Sequence, residues 1–181
     1  MGGVRRNGVF LDRDGTLNIR PAEHEYVTTE AEFVWLPGAA EGAARLARAG
    51  YVLTVVSNQR GVARGLVEPG VLRRIEDLIQ AELARYGCAI AAFRYCMHGE
   101  GDACECRKPR PGMILQLAEE LDLDLAQSWV IGDSPTDVGA GEAAGCRTAL
   151  LAESADGAEA DLVAPSLAEA SHVITARSPV V

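Results

Sequence analysis

The stretch Val9-Phe-Leu-Asp-Arg-Asp-Gly-Thr-Leu17 gathers reactive groups at the end of an apolar run. Such a run reads as a short buried strand, and open α/β sheets carry their sites at the carboxyl ends of strands. Period-two alternation aims Asp12 and Asp14 the same way and sends Arg13 elsewhere. Two carboxylates that converge on one point are costly unless a cation lies between them, such as a divalent metal with oxygen ligands. One carboxylate can then attack as a nucleophile while the other exchanges a proton with the leaving group. Gly15 permits a sharp turn and a close backbone approach, and Thr16 adds a hydroxyl. Taken alone, the stretch also fits an Asp-Gly turn that closes an ordinary strand, since short motifs carry false positives.

Two more apolar runs end in the same manner. Tyr51–Val56 leads into Ser57, Asn58, Gln59, Arg60 and Gly61, where a hydroxyl and an amide can hold a phosphoryl oxygen. Ser128–Ile131 leads into Gly132-Asp133-Ser-Pro-Thr-Asp137, with Asp133 at the strand edge and Asp137 one helical turn later. Between them lies Cys96-Met-His98, then five residues, then Cys104-Glu-Cys106. In a chain read as cytosolic, these soft ligands favour a metal over disulfides. Cys96, His98, Cys104 and Cys106 can close around a tetrahedral Zn²⁺. The protein would fill all four positions, so this zinc is expected to be structural; reduced thiols on a loop are the alternative. Cys146 reads as a small core residue, and His24 and His172 as solvated.

The chain has 16 arginines and a single lysine, Lys108. Where arginine supplies charge everywhere else, a lone lysine marks a place that needs a compact ammonium. Lys108 follows the cysteine cluster directly, in Arg107-Lys-Pro-Arg-Pro-Gly112, so a metal staple there would aim Arg107 and Lys108. The alternative is a solvated, proline-rich turn.

These groups need a frame. Helical spacing is expected at Ala39–Ala49, Val71–Tyr86, Met113–Leu121, Val138–Gly145 and Ser166–Ile174, the last with Ser166 and Glu169 as a capping box. Strands are expected at Gly8–Leu11, Tyr51–Val56, Ala89–Tyr95, Ser128–Ile131, Arg147–Leu151 and Asp161–Ala164, with Ala152–Ala160 as an acidic loop. Alternating strands and helices predict an α/β fold with a mostly parallel sheet covered on both faces. Asn18–Trp35 reads as a loop or small hairpin folded over the site, and Gly61–Gly70 as a further loop. The 181 residues suit one domain. A net charge of −9 argues against nucleic acid and against anionic membranes as partners. No leader peptide or spanning segment is evident, so a cytoplasmic protein is expected, and no leftover apolar stripe argues against a monomer.

Taken together, DRDGT, the strand followed by SN, Lys108 and GDSPTD resemble the four motifs of the haloacid dehalogenase (HAD) superfamily of phosphohydrolases. DRDGTLN, SNQRGVARG, the cysteine-histidine knuckle and CRKPRPGM narrow the resemblance to the heptose-bisphosphate phosphatases, with which the histidinol-phosphate phosphatases share most features. The resemblance implies a Rossmann-like three-layer sandwich over residues 1–181, with no large cap domain and a zinc-binding loop at 96–106. It implies Asp12 as nucleophile, Asp14 as acid and base, and Ser57 and Lys108 as neutralisers of the transferring phosphoryl group. Mg²⁺ would be held by Asp12, Asp14 (through its backbone carbonyl) and Asp133, with Asp137 orienting Lys108 and Thr16 in support. Asn18, Asn58, Gln59, Arg60 and Arg107 match substrate-lining positions, and Cys96, His98, Cys104 and Cys106 match zinc ligands.

The substrate expected is a small phosphorylated sugar, with Arg60, Arg64, Arg107 and Arg110 available to a second phosphate. Histidinol phosphate is the alternative, with Glu23, Glu25, Glu100 and Asp102 available to an amine. The segment IRPAEHEYV after Asn18 departs from the family pattern, as does Arg60. A zinc-stabilised binding protein without catalysis would lack the nucleophile, the acid/base or the lysine, and none of these is missing.

Overall fold

The computed structural model describes residues 5–99, 101–154 and 159–177. Six strands form one sheet: β1 (Arg6–Leu11), β2 (Val52–Asn58), β3 (Ala92–Cys96), β4 (Leu123–Gly132), β5 (Arg147–Leu151) and β6 (Leu162–Ala164). Their order is β3-β2-β1-β4-β5-β6 and every pairing is parallel. The order reverses between β1 and β4, and at such a point the loops leave in opposite directions and open a crevice beyond the strand ends.

Period-two alternation in β1 divides the core into two layers. Val9 and Leu11 pack with Leu53, Val55, Trp129 and Ile131 under helices α1 (Ala39–Arg48), α3 (Pro69–Ala84) and α6 (Leu167–Arg177). Phe10 faces the other way, with Val56 and Val130, under α4 (Gly112–Glu120) and α5 (Pro135–Ala144). The result is the expected three-layer α/β sandwich. Among the described residues, no connection carries an inserted domain.

Several expectations shift, among them the third strand, which runs Ala92–Cys96 rather than Ala89–Tyr95. The fourth strand begins at Leu123 rather than Ser128, because Leu123 and Asp124 pair with Arg6 and Asn7 before the register shifts ahead of Val9. Ser128 Oγ stitches that irregularity, accepting from Gly8 N (2.7 Å) and donating to Asp124 O (2.5 Å). β2 runs on through Ser57 and Asn58, since both continue the pairing with β3. Residues Arg60–Ala63 form a short helix, α2, where a loop was expected. Helix α5 starts three residues early, at Pro135, because Ser134 and Asp137 form a capping box. Of the Ser166–Glu169 box, the half in which Glu169 N donates to Ser166 Oγ is present (3.2 Å).

Helix α1 meets α6 through alanines and Gly42, where a Cβ would stand 2.8 Å from the Leu167 carbonyl oxygen. Alanine at this position gains roughly 1 kcal/mol of helix propensity but forces two backbones apart. Overpacking typically costs about 1–3 kcal/mol, and here the obstacle is main chain rather than a flexible side chain. Gly42→Ala is therefore expected to lower unfolding free energy, read as a fall in urea midpoint at unchanged slope.

Candidate active site

The carboxyl ends of β1, β2 and β4 converge at the crevice. Asp12 follows β1, and its N–H donates to the Ile131 carbonyl of β4 (2.9 Å), which locks the first carboxylate to the fourth strand. The chain then turns at Gly15, whose φ of +88° suits glycine. A Cβ there would lie 1.7 Å from Asp133 Oδ2. Gly132 does the same for Asp137, with a Cβ 2.2 Å from its Oδ2. Two missing side chains thus let the carboxylates of Asp133 and Asp137 close in.

Lys108 enters from the segment after the knuckle and is buried. Its Nζ donates to Asp12 Oδ1 (2.8 Å), Asp137 Oδ1 (2.5 Å) and the Val56 carbonyl (2.9 Å). Burial by itself would lower the ammonium pKa, but the Asp12 and Asp137 carboxylates outweigh it and hold it above the ordinary value. Asn58 clamps the lysine's backbone from both sides: its Oδ1 accepts from Lys108 N and its Nδ2 donates to Lys108 O, each at 3.1 Å. Asn58 also lines the cleft.

Asp14 sits in a second network. Arg13, completely buried, donates from Nε to Asp14 Oδ1 (3.1 Å) and from Nη2 to Asp14 Oδ2 (3.0 Å). Asn18 Nδ2 donates to Oδ1 and Gln59 Nε2 to Oδ2, both at 2.9 Å. Gln59 Nε2 also reaches Ser57 Oγ (3.0 Å), and Gln59 Oε1 accepts from Arg13 Nη2 (3.1 Å). Arg13 therefore does not point away from the aspartates. Strand β1 ends at Leu11, so period-two alternation no longer governs residue 13. The Arg13 carbonyl also accepts from the N–H groups of Thr16, Leu17 and Asn18.

These groups line a cleft of about 200 Å³, bounded by Asp12, Asp14, Ser57, Gln59, Lys108 and Asp137 on the sheet side. Arg20, Pro21, Glu25 and Tyr26, from the loop that departs from the family pattern, form the other wall. Arg20 Nη2 donates to Asp133 Oδ1 (2.5 Å), and Tyr26 Oη accepts from Arg60 Nε and Arg64 Nη1, each at 3.2 Å. The loop is thus pinned to both banks.

Several residues matched to substrate positions also hold protein groups. Asn18 is buried, donating to Asp14 and the Ile19 carbonyl; Arg60 donates to Tyr26; Arg107 donates to the His98 carbonyl. Arg110 likewise donates to the Cys104 carbonyl. Buried Thr16 has its hydroxyl without a partner among the described residues. Of the acidic loop residues, Glu25 reaches the cleft, Glu23 pairs with exposed His24, Asp102 accepts from Gly99 N, and Glu100 lies outside the described residues.

Among the described residues, two side-chain clusters can hold metal ions. Oxygens of Asp12, Asp133 and Asp137 lie within 4.8 Å of one another. Burial, reinforced by the Asp12 and Asp137 carboxylates against the pull of Arg20, pushes the Asp133 carboxyl up to about 7. A carboxylate trio with that much unspent negative charge fits a divalent cation with oxygen ligands. The trio differs from the expected set in including Asp137, whose Oδ1 and Oδ2 are already engaged by Lys108 Nζ and Ser134 N.

The second cluster is Cys96, His98, Cys104 and Cys106. Cys96 Sγ lies 3.8 Å from Cys104 Sγ and 3.6 Å from His98 Nδ1, which lies 3.1 Å from Cys106 Sγ. A tetrahedron with Zn–S bonds of about 2.3 Å has S···S edges of about 3.8 Å, so the donors fit zinc. Burial, with Cys96 and Cys104 alongside, pushes the Cys106 thiol up to about 12, whereas at Cys104 hydrogen bonds from the Arg107 backbone and the neighbouring thiols outweigh burial and hold it below the ordinary value. The knuckle also abuts α4, where a Cβ on Gly112 would meet the Glu105 carbonyl at 2.3 Å.

The HAD-hydrolase-like family model matches residues 105–173. The D-glycero-β-D-manno-heptose-1,7-bisphosphate 7-phosphatase of Pseudomonas aeruginosa is 37% identical over 148 residues, 82% of this chain and 82% of that one. The chain belongs to the HAD-like hydrolase family. The phosphatase of the same description from Rhodopseudomonas palustris is 43% identical to this HAD-like chain over 148 residues, 78% of it and 81% of the relative. The crystal structure of D,D-heptose 1,7-bisphosphate phosphatase from B. bronchiseptica, complexed with magnesium and phosphate, superimposes on this HAD-like fold with a TM-score of 0.87. It is 34% identical and covers 95% of this chain and 99% of that chain.

Two outcomes test the metal clusters. Cys104→Ser is expected to lose zinc, measured by atomic emission, and to lower the thermal midpoint. A carboxyl whose folded pKa is raised binds more protons folded than unfolded, so its contribution falls as pH rises from about 4 to about 7. The metal-stripped protein should thus lose thermal midpoint between about pH 5 and pH 8 more steeply than Asp133→Asn, and Mg²⁺ should restore more at the higher pH.

Proposed function

We propose that this chain is a Mg²⁺-dependent phosphatase that removes the C7 phosphate of D-glycero-D-manno-heptose 1,7-bisphosphate. The observation that carries the reading is the convergence of Asp12, Asp14, Asp133 and buried Lys108 in a chain 37% identical to a heptose-bisphosphate phosphatase over 82% of its length. The four-motif constellation supports phosphoryl transfer, in which catalysis is mostly positioning and charge neutralisation. It argues against a binding protein, since Asp12, Asp14, Ser57, Lys108 and Asp137 line one cleft and Asp133 joins Asp12 and Asp137 in one carboxylate cluster.

In this reading Asp12 is the nucleophile. Lys108 occupies its Oδ1, which leaves Oδ2 to attack phosphorus. The new Oδ2–P bond forms as the P–O bond to the sugar breaks, giving an aspartyl-phosphate. Asp14 delivers its proton to the departing sugar oxygen. It then takes a proton from water, whose oxygen displaces Asp12 and releases inorganic phosphate. Arg13, Asn18 and Gln59 fix Asp14 for both transfers, and Ser57 and Lys108 meet the phosphoryl charge. Asp137 orients Lys108. Asp12, Asp133 and the Asp14 backbone carbonyl would hold Mg²⁺, which would supply further charge neutralisation at the phosphoryl group.

The four-ligand knuckle at 96–106 is read as a structural zinc site that fixes the entry of Lys108. The catalytic unit is read as one domain acting as a monomer in the cytoplasm; among the described residues, no helix is long and apolar enough to cross a membrane. Glu25 at the cleft rim supports histidinol phosphate as a second reading, since a carboxylate there could meet an amine.

The test is phosphate release from heptose 1,7-bisphosphate and histidinol phosphate at matched concentrations with Mg²⁺. The expected result is a large kcat/KM preference for the heptose; a preference for histidinol phosphate would overturn the substrate assignment. Asp12→Asn is expected to abolish turnover of both, and Asp14→Asn to lower kcat by about 10²–10⁴-fold, the usual span of general acid–base catalysis.

A further inference from the structure

Arg13 is completely buried and is tied mainly to the group it orients. Nε donates to Asp14 Oδ1, and Nη2 donates to Asp14 Oδ2 and to Gln59 Oε1. Each Asp14 oxygen thus accepts one bond from Arg13 and a second from Asn18 or Gln59. A guanidinium that holds a carboxylate, and is held by it in turn, fixes a direction only where something else fixes the guanidinium. Gln59 supplies one such point. Nη1 is buried and has no hydrogen-bond partner among the described residues. A guanidinium carries five N–H donors, and a buried charged donor is costly to leave unmet.

A second orphan lies on the same side of the sheet. Tyr95 Oη is buried and likewise has no hydrogen-bond partner among the described residues. Tyr95 is the register partner of Ser57, one alternation beyond the pair Val55–Phe93, and all of these face the layer under α1 and α3. Its ring packs beside Phe93, with centroids 6.4 Å apart. Ser57 Oγ accepts from Gln59 Nε2, and Gln59 Oε1 accepts from Arg13 Nη2, so a single side chain links Ser57 to the guanidinium. Burial raises the Tyr95 phenol well above its ordinary value, so it keeps its proton, and the charge that most opposes this rise is that of Arg13. Glu76 of α3 comes near the same phenol: burial raises its carboxyl, and the Tyr95 hydroxyl pulls it back down. A phenol that turns its proton toward a carboxylate presents its lone pairs to a cation.

We propose that Tyr95 is a positioning residue for the proton transfers of this enzyme: its hydroxyl and Arg13 Nη1 share one buried water, which fixes the guanidinium and, through it, the Asp14 carboxyl. An unmet donor and an unmet acceptor in one buried polar space are satisfied together by a single bridging water. Tyr95 is not among the residues that line the cleft, so it acts through Arg13 and touches neither the sugar nor the phosphoryl group. The inference rests on the reading of Asp14 as acid and base, and is independent of which sugar departs.

The test compares wild type, Tyr95→Phe and Glu76→Leu with Mg²⁺, on heptose 1,7-bisphosphate and on p-nitrophenyl phosphate. A sugar oxygen needs a proton to depart, whereas p-nitrophenolate leaves without one. Tyr95→Phe should lower kcat/KM for the sugar about tenfold, the scale of one hydrogen bond to a charged group, and leave kcat/KM for the aryl ester within about twofold. Glu76→Leu, at a half-buried position on α3, should shift the same ratio in the same direction, and keeps the test open if Tyr95→Phe folds poorly. In an Asp14→Asn background, Tyr95→Phe should cost nothing further on the sugar. Equal losses on both esters, or a full additional loss in that background, would overturn the proposal. A crystal structure of the wild type reads the contact without turnover: one water should lie within about 3.2 Å of both Arg13 Nη1 and Tyr95 Oη, and its absence would overturn the proposal. A wild type that hydrolyses neither ester would sink the phosphatase reading and the proton-transfer role with it, while the crystal structure would still decide whether Tyr95 anchors Arg13.

Discussion

An ammonium sealed from solvent is tolerable only where charge and hydrogen bonds replace its water. Lys108 meets that condition with two carboxylates and one main-chain carbonyl, each contributed by a different part of the chain. The requirement runs both ways. Without the lysine, Asp12 and Asp137 would face each other and Asp133 as uncompensated buried charges; without them, the lysine would shed its proton or leave. Much of the surrounding structure keeps this pairing in register. The double clamp of Asn58 fixes the lysine's backbone, the capping box of α5 fixes Asp137, and the bond from Asp12 N to β4 fixes the nucleophile.

The knuckle belongs to the same logic. Beyond the end of β3, the described part of the segment from Met97 to Pro111 forms no strand or helix, so no regular backbone pattern holds it still. Its order comes from side chains: four metal-ligating groups drawn together, and two arginines tied to its carbonyls. A segment built in this way can be fixed without a core of its own, which suits a short connection that must deliver one side chain at one place. Arg107 and Arg110 each give one donor to a knuckle carbonyl, and Arg107 keeps a buried Nε without a partner among the described residues.

The strand ends were legible because an apolar run that stops at Asp, Ser-Asn or Gly-Asp carries its own signal, and a parallel sheet brings such ends together. Asp12, Ser57, Asp133, Asp137 and Lys108 follow from that pattern, as does the cysteine-histidine cluster from its spacing. Arg13 did not, because alternation predicts direction only inside a strand and β1 ends two residues earlier. The link from Arg20 to Asp133 spans 113 positions and has no local pattern at either end. Arg60 and Arg107 carried a family match but not the identity of their partners, which depends on where Tyr26 and His98 fall after folding. The early start of β4 was hidden by a register shift that breaks the apolar alternation.

Gly15 and Gly132 give the arrangement a further property. Each holds open, by lacking a side chain, a volume that a neighbouring carboxylate fills. Such positions have no small steps available: the next residue up in size already collides with the charge it was making room for. Diversification of this fold is therefore channelled away from its floor and into its roof, where the segment between Asn18 and Trp35 is anchored in the core by Val27 and Phe33 while its exposed positions can be rewritten without moving the carboxylates. A lineage that changes substrates in this way would keep its chemistry frozen while its loop drifts, so that a change of diet would be written in residues 19–34 long before it touched an aspartate.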